Sequence, residues 1–77
     1  MTSATYKIIK IVMITLIDGQ QYIIEPQTPH AIIEVKDGEI YAFDANGVKH
    51  NTIDGGEWLM FNIESGNIEE VNNSTLK

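Results

Sequence analysis

The 77-residue sequence has no cysteine, which removes disulfides, thiolate zinc sites and cysteine nucleophiles from consideration. A domain this short sits near the size at which one core is only marginally sufficient, and it has no covalent staple to help. Positive charge is scarce as well: five cationic side chains stand against eleven acidic ones, for a net charge of −6. The deficit is uneven. Residues 1–36 balance Asp18, Glu25 and Glu34 with Lys7, Lys10 and Lys36, whereas residues 37–77 set eight acids against Lys49 and Lys77 and carry the whole −6. Such a field repels phosphate backbones and attracts basic partners, so no direct nucleic-acid binding is expected.

Long apolar runs are absent too. The longest candidate, Ile8 to Ile17, is about half of the roughly 20 residues that a bilayer-spanning helix needs. It ends in Asp18-Gly19-Gln20-Gln21 rather than in a small-residue cleavage site, so it reads as a strand and not as a signal peptide. No membrane association is expected, and a cytoplasmic location is the default.

Nothing in the sequence assembles a catalytic or metal constellation. His30 and His50 have no Cys, His or carboxylate partner at close spacing, and zinc needs three or four ligands. Asp44-Ala45-Asn46-Gly47 opens like a calcium loop but lacks its later ligands, including the distal glutamate. Glu69 and Glu70 are adjacent, and adjacent strand residues project to opposite faces, which keeps them from sharing one proton-transfer site. The serines have no nearby histidine, and no glycine-rich phosphate loop occurs. The expectation is a protein that is not an enzyme, with no catalytic residue, no metal and no cofactor.

Against these absences stands a regular punctuation. All six glycines lie in Asp18-Gly19, Asp37-Gly38, Asn46-Gly47, Asp54-Gly55-Gly56 and Ser65-Gly66, each between short apolar runs. Asp-Gly and Asn-Gly suit the type I′ hairpin turn, whose central residues both need positive φ. The segments between them predict strands over 6–17, 20–25, 31–35, 39–43, 48–53, 57–63 and 67–71, with the 26–29 segment, bounded by two prolines, as the longest irregular link. The span 48–53 is the least apolar and is expected at an edge. Residues 1–5 and 72–77 are expected to be loose ends of a single domain covering 1–77.

These signals predict an all-β fold: a small antiparallel meander of five to seven strands, curled as an SH3-like barrel or stacked as a two-layer sandwich. Ile14-Thr15-Leu16-Ile17-Asp18-Gly19-Gln20-Gln21-Tyr22 resembles the first hairpin of Sm-like and other SH3-like small barrels. Over those nine residues the resemblance implies a barrel shape. The basic RNA-facing residues of the Sm-like group are missing.

Alternation puts Ile8, Val12, Ile14 and Leu16 on one face of the first strand and Ile9, Ile11, Met13 and Ile17 on the other. Read as a strand, 57–63 is also apolar on both faces, with Trp58 and Met60 opposed to Leu59, Phe61 and Ile63. Phe43, Phe61 and Trp58 are expected mainly in the core, and Tyr22 and Tyr41 in core or interface. A meander with two apolar faces has surplus surface, which predicts a homodimer or higher homo-oligomer through Ile9, Ile11, Met13, Trp58 and Met60. The acids at the turns, Asp37, Glu39, Asp44, Asp54, Glu57 and Glu64, are the candidate protein-binding residues.

Three functions follow as expectations. The first is a non-enzymatic acidic protein that docks on a basic protein surface, such as a phage or mobile-element inhibitor of a host nucleic-acid-processing or defence protein. The alternatives are an oligomeric binder of a metabolite or signalling nucleotide, and a structural or assembly module that offers a strand edge.

Overall fold

β-Branched residues are frequent up to residue 51, and six of the seven strands lie there. A computed structural model describes residues 3–71. In chain order the elements are β1 (Ser3–Ile8), β2 (Val12–Thr15), β3 (Gln21–Ile24), β4 (Ile32–Lys36), β5 (Glu39–Phe43), β6 (Lys49–Asn51), α1 (Gly56–Glu64) and β7 (Ile68–Val71). Five strands form an antiparallel sheet in the order β6-β5-β4-β1-β7, and β2 and β3 form a separate hairpin. The small, antiparallel, all-β architecture is the expected one.

The sheet does not close into a barrel. The hairpin touches the edge of the five-stranded sheet through the single bridge Leu16 to Thr52, flanked by Ile17 N–H to Asn51 O and Ile53 N–H to Thr15 O. Nor is the strand order that of a simple meander. Only β4-β5-β6 runs in sequence, while β1 inserts between β4 and β7. The edge expected at 48–53 is one: β6 ends one side of the sheet, and β7 ends the other.

One core lies between the hairpin and the five-stranded sheet, built from Ile8, Val12, Ile14, Ile24, Ile33, Ile40, Ala42 and Ile68. Each fully buried Ile side chain contributes about 1.5–3 kcal/mol relative to leaving it in water. The faces of the first apolar run separate as alternation predicts: Ile8, Val12, Ile14 and Leu16 are buried, and Ile9, Ile11, Met13 and Ile17 are exposed. The run is nevertheless two strands. It breaks at Ile9–Ile11, where the Asn67 carbonyl accepts hydrogen bonds from the N–H groups of both Ile9 (2.7 Å) and Lys10 (3.0 Å). That break lets a continuous stretch of chain serve the sheet and then the hairpin.

The largest correction concerns 57–63, which is helix and not strand. A near-continuous apolar run has no period with which to separate the two conformations. Helical geometry resolves its two-sidedness: Trp58, Leu59 and Asn62 turn toward the core while Met60 and Phe61 face outward. Phe61, expected in the core, is 64% exposed. The glycines of Asp54-Gly55-Gly56 and Ser65-Gly66 therefore bracket a helix instead of making hairpin turns. At the C-terminal end, Ser65 N–H donates to Phe61 O and Gly66 N–H to Ile63 O, with Gly66 at φ +76°, the left-handed conformation that commonly stops a helix.

The expectation of a loose start also changes. Ser3, Ala4 and Thr5 pair in register with Lys36, Val35 and Glu34, so they belong to the sheet. The segment 72–77 lies outside the described residues. The Asp37-Gly38 turn follows the sequence closely, with φ +53° and +85° at its two positions, as a type I′ turn requires.

Candidate binding surface

Residues 54–71 contain five acids, Asp54, Glu57, Glu64, Glu69 and Glu70, and no lysine or histidine. The segment forms α1 and then β7 at one edge of the sheet. Glu57 and Glu64 are seven residues apart, about two helical turns, and so share the outward line of α1. Exposed Met60 and Phe61 flank that line. Beyond the helix stop, β7 runs along the sheet edge with Glu69 opposite Lys7 and Glu70 opposite Tyr6 on β1.

Polar side chains on the inner side of α1 set its position. Trp58 donates from Nε1 to the carbonyl of Met13 (2.9 Å), tying the helix to β2. Asn62, almost fully buried, donates from Nδ2 to Trp58 O (2.9 Å) and accepts from Asn67 Nδ2 (2.7 Å). Asn67 is the residue whose carbonyl holds the β1–β2 break. A short polar chain thus connects the helix, the break and β7, and no buried side-chain polar atom among the described residues is left without a partner.

Between α1, β7 and β1 lies an open cleft of about 480 Å³ lined by Tyr6, Ile9, Ile63, Ile68, Glu69 and Glu70. Partial burial, and after it the negative charge of Glu70, hold the Tyr6 hydroxyl above its ordinary pKa. Among the described residues, Lys49 to Glu34 (2.9 Å) is the only lysine–carboxylate ion pair, so no acid of α1 or β7 is in one there.

The turn acids do not form one patch. Asp37 and Glu39 sit at one end of β5 and Asp44 at the other. Asp44 is a structural group: it accepts from the Asn46 and Val48 N–H groups and from His50 Nε2 (2.9 Å), and the His50 bond comes first in holding its carboxyl below the ordinary value. Asp54 accepts from the Thr15 N–H (2.8 Å) and so clamps the hairpin to the approach of α1. Glu39 takes the Tyr41 hydroxyl proton in a hydrogen bond (3.2 Å), which is the first cause of that phenol's raised pKa. Of the six acids, Glu57 and Glu64 share the outward line of α1, the element that precedes β7 with its Glu69 and Glu70. Glu69 and Glu70 were not among the expected binding residues. The absence of any cation between 54 and 71 is the sequence signal that marks them.

Of the expected interface residues, Ile9, Ile11, Met13 and Met60 are exposed, whereas Trp58 is half-buried and packed on the core. Ile23, absent from that set, lies opposite Met13 in register and is 66% exposed, so the two form an apolar pair on the outer face of the hairpin. The alternation of Gln21, Ile23 and Glu25 against Tyr22 and Ile24 is the signal for it.

The two histidines stay apart. The His30 ring lies against Gly47, while His50 meets the Tyr22 ring edge-on at 5.6 Å and bonds Asp44. Among the described residues no group of three or more His, Asp or Glu could hold a metal ion, and no helix is long and apolar enough to cross a membrane. Compared with protein-family models, curated proteins and solved structures, the chain matches none of them.

Proposed function

We propose that the chain is a non-enzymatic binding protein that docks its α1–β7 face on a basic protein surface. The observation that carries this reading is the coincidence of four carboxylates that make no ion pair among the described residues, Glu57, Glu64, Glu69 and Glu70, with exposed Met60, Phe61 and Ile63 on the consecutive elements α1 and β7. Charge of one sign steers a partner of the other, and apolar side chains among the charges supply contact area once water is expelled. A protein that holds nucleic acid offers such a basic surface, so an inhibitor that covers it would use this chemistry.

The test is capture of partners by the wild type and by two charge variants over a salt series. Glu57→Lys/Glu64→Lys should lose Lys- and Arg-rich partners that the wild type holds at low salt. Asp37→Lys/Glu39→Lys, which changes charge equally at the far end of the sheet, should keep them. Equal loss in both variants would reduce the effect to net charge and overturn the assignment of the face.

A second reading rests on the Met13–Ile23 pair. With Ile11 beside it, this exposed apolar strip favours self-association through the hairpin. It involves a different element from α1 and β7, so a homo-oligomer could still present the acidic face.

A further inference from the structure

The cleft between α1, β7 and β1 combines features that the acidic face elsewhere lacks. Ile9, Ile63 and Ile68 form apolar walls, Tyr6 contributes an aromatic side chain, and Glu69 and Glu70 border the same space. Its volume of about 480 Å³ falls within the roughly 300–1,000 Å³ typical of sites that hold a small group. Alternation along β7 puts Glu70 on the face of its register partner Tyr6 and of Ile68, and Glu69 on the opposite face beside Lys7; both residues border the cleft, which lies at the edge of the sheet. Among the described residues neither carboxylate is engaged by a hydrogen bond or an ion pair. Lys7, the register partner of Glu69, makes no ion pair with it.

Resting on the docking face proposed above, we propose that this cleft anchors a single arginine side chain of the basic partner. The occupant must have an apolar stem for the isoleucine walls and a cationic head for the carboxylates, which describes arginine and lysine. Arginine fits better for two reasons. Its guanidinium is more weakly hydrated than an ammonium, so it loses less on entering a half-apolar space. Its planar fork of donors serves two carboxylates approaching from different sides, and it stacks on an aromatic ring. The raised pKa of Tyr6 is consistent with an uncompensated Glu70 charge at the cleft. An arriving cation relieves that field.

The test is an isoleucine-methyl NMR titration of the full chain with acetylated, amidated Gly-Arg-Gly, Gly-Lys-Gly and Gly-citrulline-Gly. The arginine peptide should shift the Ile9, Ile63 and Ile68 methyls saturably. The lysine peptide should bind about threefold more weakly, and the neutral citrulline peptide should not bind. Glu69→Gln/Glu70→Gln should weaken arginine binding by about tenfold, with the Ile14 and Ile33 methyls unmoved as evidence of an intact core. Glu57→Gln/Glu64→Gln should leave it within about twofold, because those exposed acids act only through screened, longer-range field. Equal binding of citrulline, or indifference to Glu69→Gln/Glu70→Gln, overturns the anchor. Shifts at the Glu57 and Glu64 amides without shifts in the cleft overturn the anchor and leave the docking face standing. Cleft binding, together with partner capture that ignores Glu57→Lys/Glu64→Lys, overturns the docking face and keeps the anchor.

Discussion

Trp58 donates its indole N–H to the carbonyl of Met13, 45 residues away in sequence, across a distance of 2.9 Å. This bond joins α1 to the backbone of β2, so the helix is seated by a polar contact as well as by the packing of Trp58 and Leu59. Trp58→Phe keeps much of the ring and deletes the donor. It should cost about 1 kcal/mol, the usual net value of one hydrogen bond. Trp58→Ala also loses the packing and should cost about 3 kcal/mol. Urea unfolding followed by circular dichroism measures both, since Trp58 is the sole tryptophan and its fluorescence is lost with it. Equal costs would mean that the ring packing contributes nothing.

Asn62 is the buried polar hinge of the helix, bonded to Trp58 O and to Asn67 Nδ2. Asn62→Ala should destabilise the protein by about 1–3 kcal/mol, since it strips partners from groups that water reaches poorly. Asn62→Asp keeps the acceptor for Asn67 and loses the donor to Trp58 O. A urea midpoint for Asn62→Asp at or below that of Asn62→Ala would show that the Asn67 bond is not the important one.

Asp44 sets a pH dependence whose sign follows from its depressed pKa. Its bonds to His50 Nε2 and to the Val48 and Asn46 N–H groups favour the charged form, so the folded value lies below the ordinary 3.8. The contribution is therefore complete above the ordinary value and is lost as pH falls through the folded one. Chemical denaturation at several pH values should show the wild type losing more stability between neutral and acid pH than Asp44→Asn does. Parallel curves for the two proteins would refute the assignment.

Gly47 has φ +84°, and a Cβ placed on it would lie 3.2 Å from His30 Nε2. Gly47→Ala should cost about 1–3 kcal/mol from backbone strain, plus the displacement of the imidazole. In a double-mutant cycle, His30→Ala should recover only the steric part, leaving the strain. Full recovery would locate the whole cost in the side-chain clash.

The Met13–Ile23 strip gives a prediction about assembly. Sedimentation velocity over a concentration series should show the wild type forming a dimer or larger species, while Met13→Thr/Ile23→Thr remains a monomer. A wild type that stays monomeric at high concentration would remove the second reading and leave the acidic face unaffected.

Much of the β architecture was legible because its signals are local. Asp37-Gly38 adopts the positive φ angles that its residue types favour, and the alternation of Ile8, Val12, Ile14 and Leu16 against Ile9, Ile11, Met13 and Ile17 separates buried from exposed. The helix was not legible. In Trp58-Leu59-Met60-Phe61-Asn62-Ile63 the apolar residues are too dense for a period to emerge, and the bonds that favour helix, to Met13 and Asn67, come from distant parts of the chain. The acid set was only half legible for a related reason. A turn residue advertises its charge but not what binds it: Asp44 accepts from N–H groups two and four residues on, whereas Asp54 accepts from Thr15 on a distant strand.

By itself the sequence determined composition, charge and local conformation: the strand-rich character, the turn at Asp37-Gly38, the absence of thiol chemistry and the concentration of negative charge after residue 36. Those properties belong to single residues and their near neighbours. Tertiary structure alone decided that 56–64 is helix, which puts Glu57 and Glu64 on one line, and that a cleft opens beside Tyr6 at the β7 edge. Each of these depends on contacts between segments far apart in the chain, whose free energies exceed local preference only once the core has assembled.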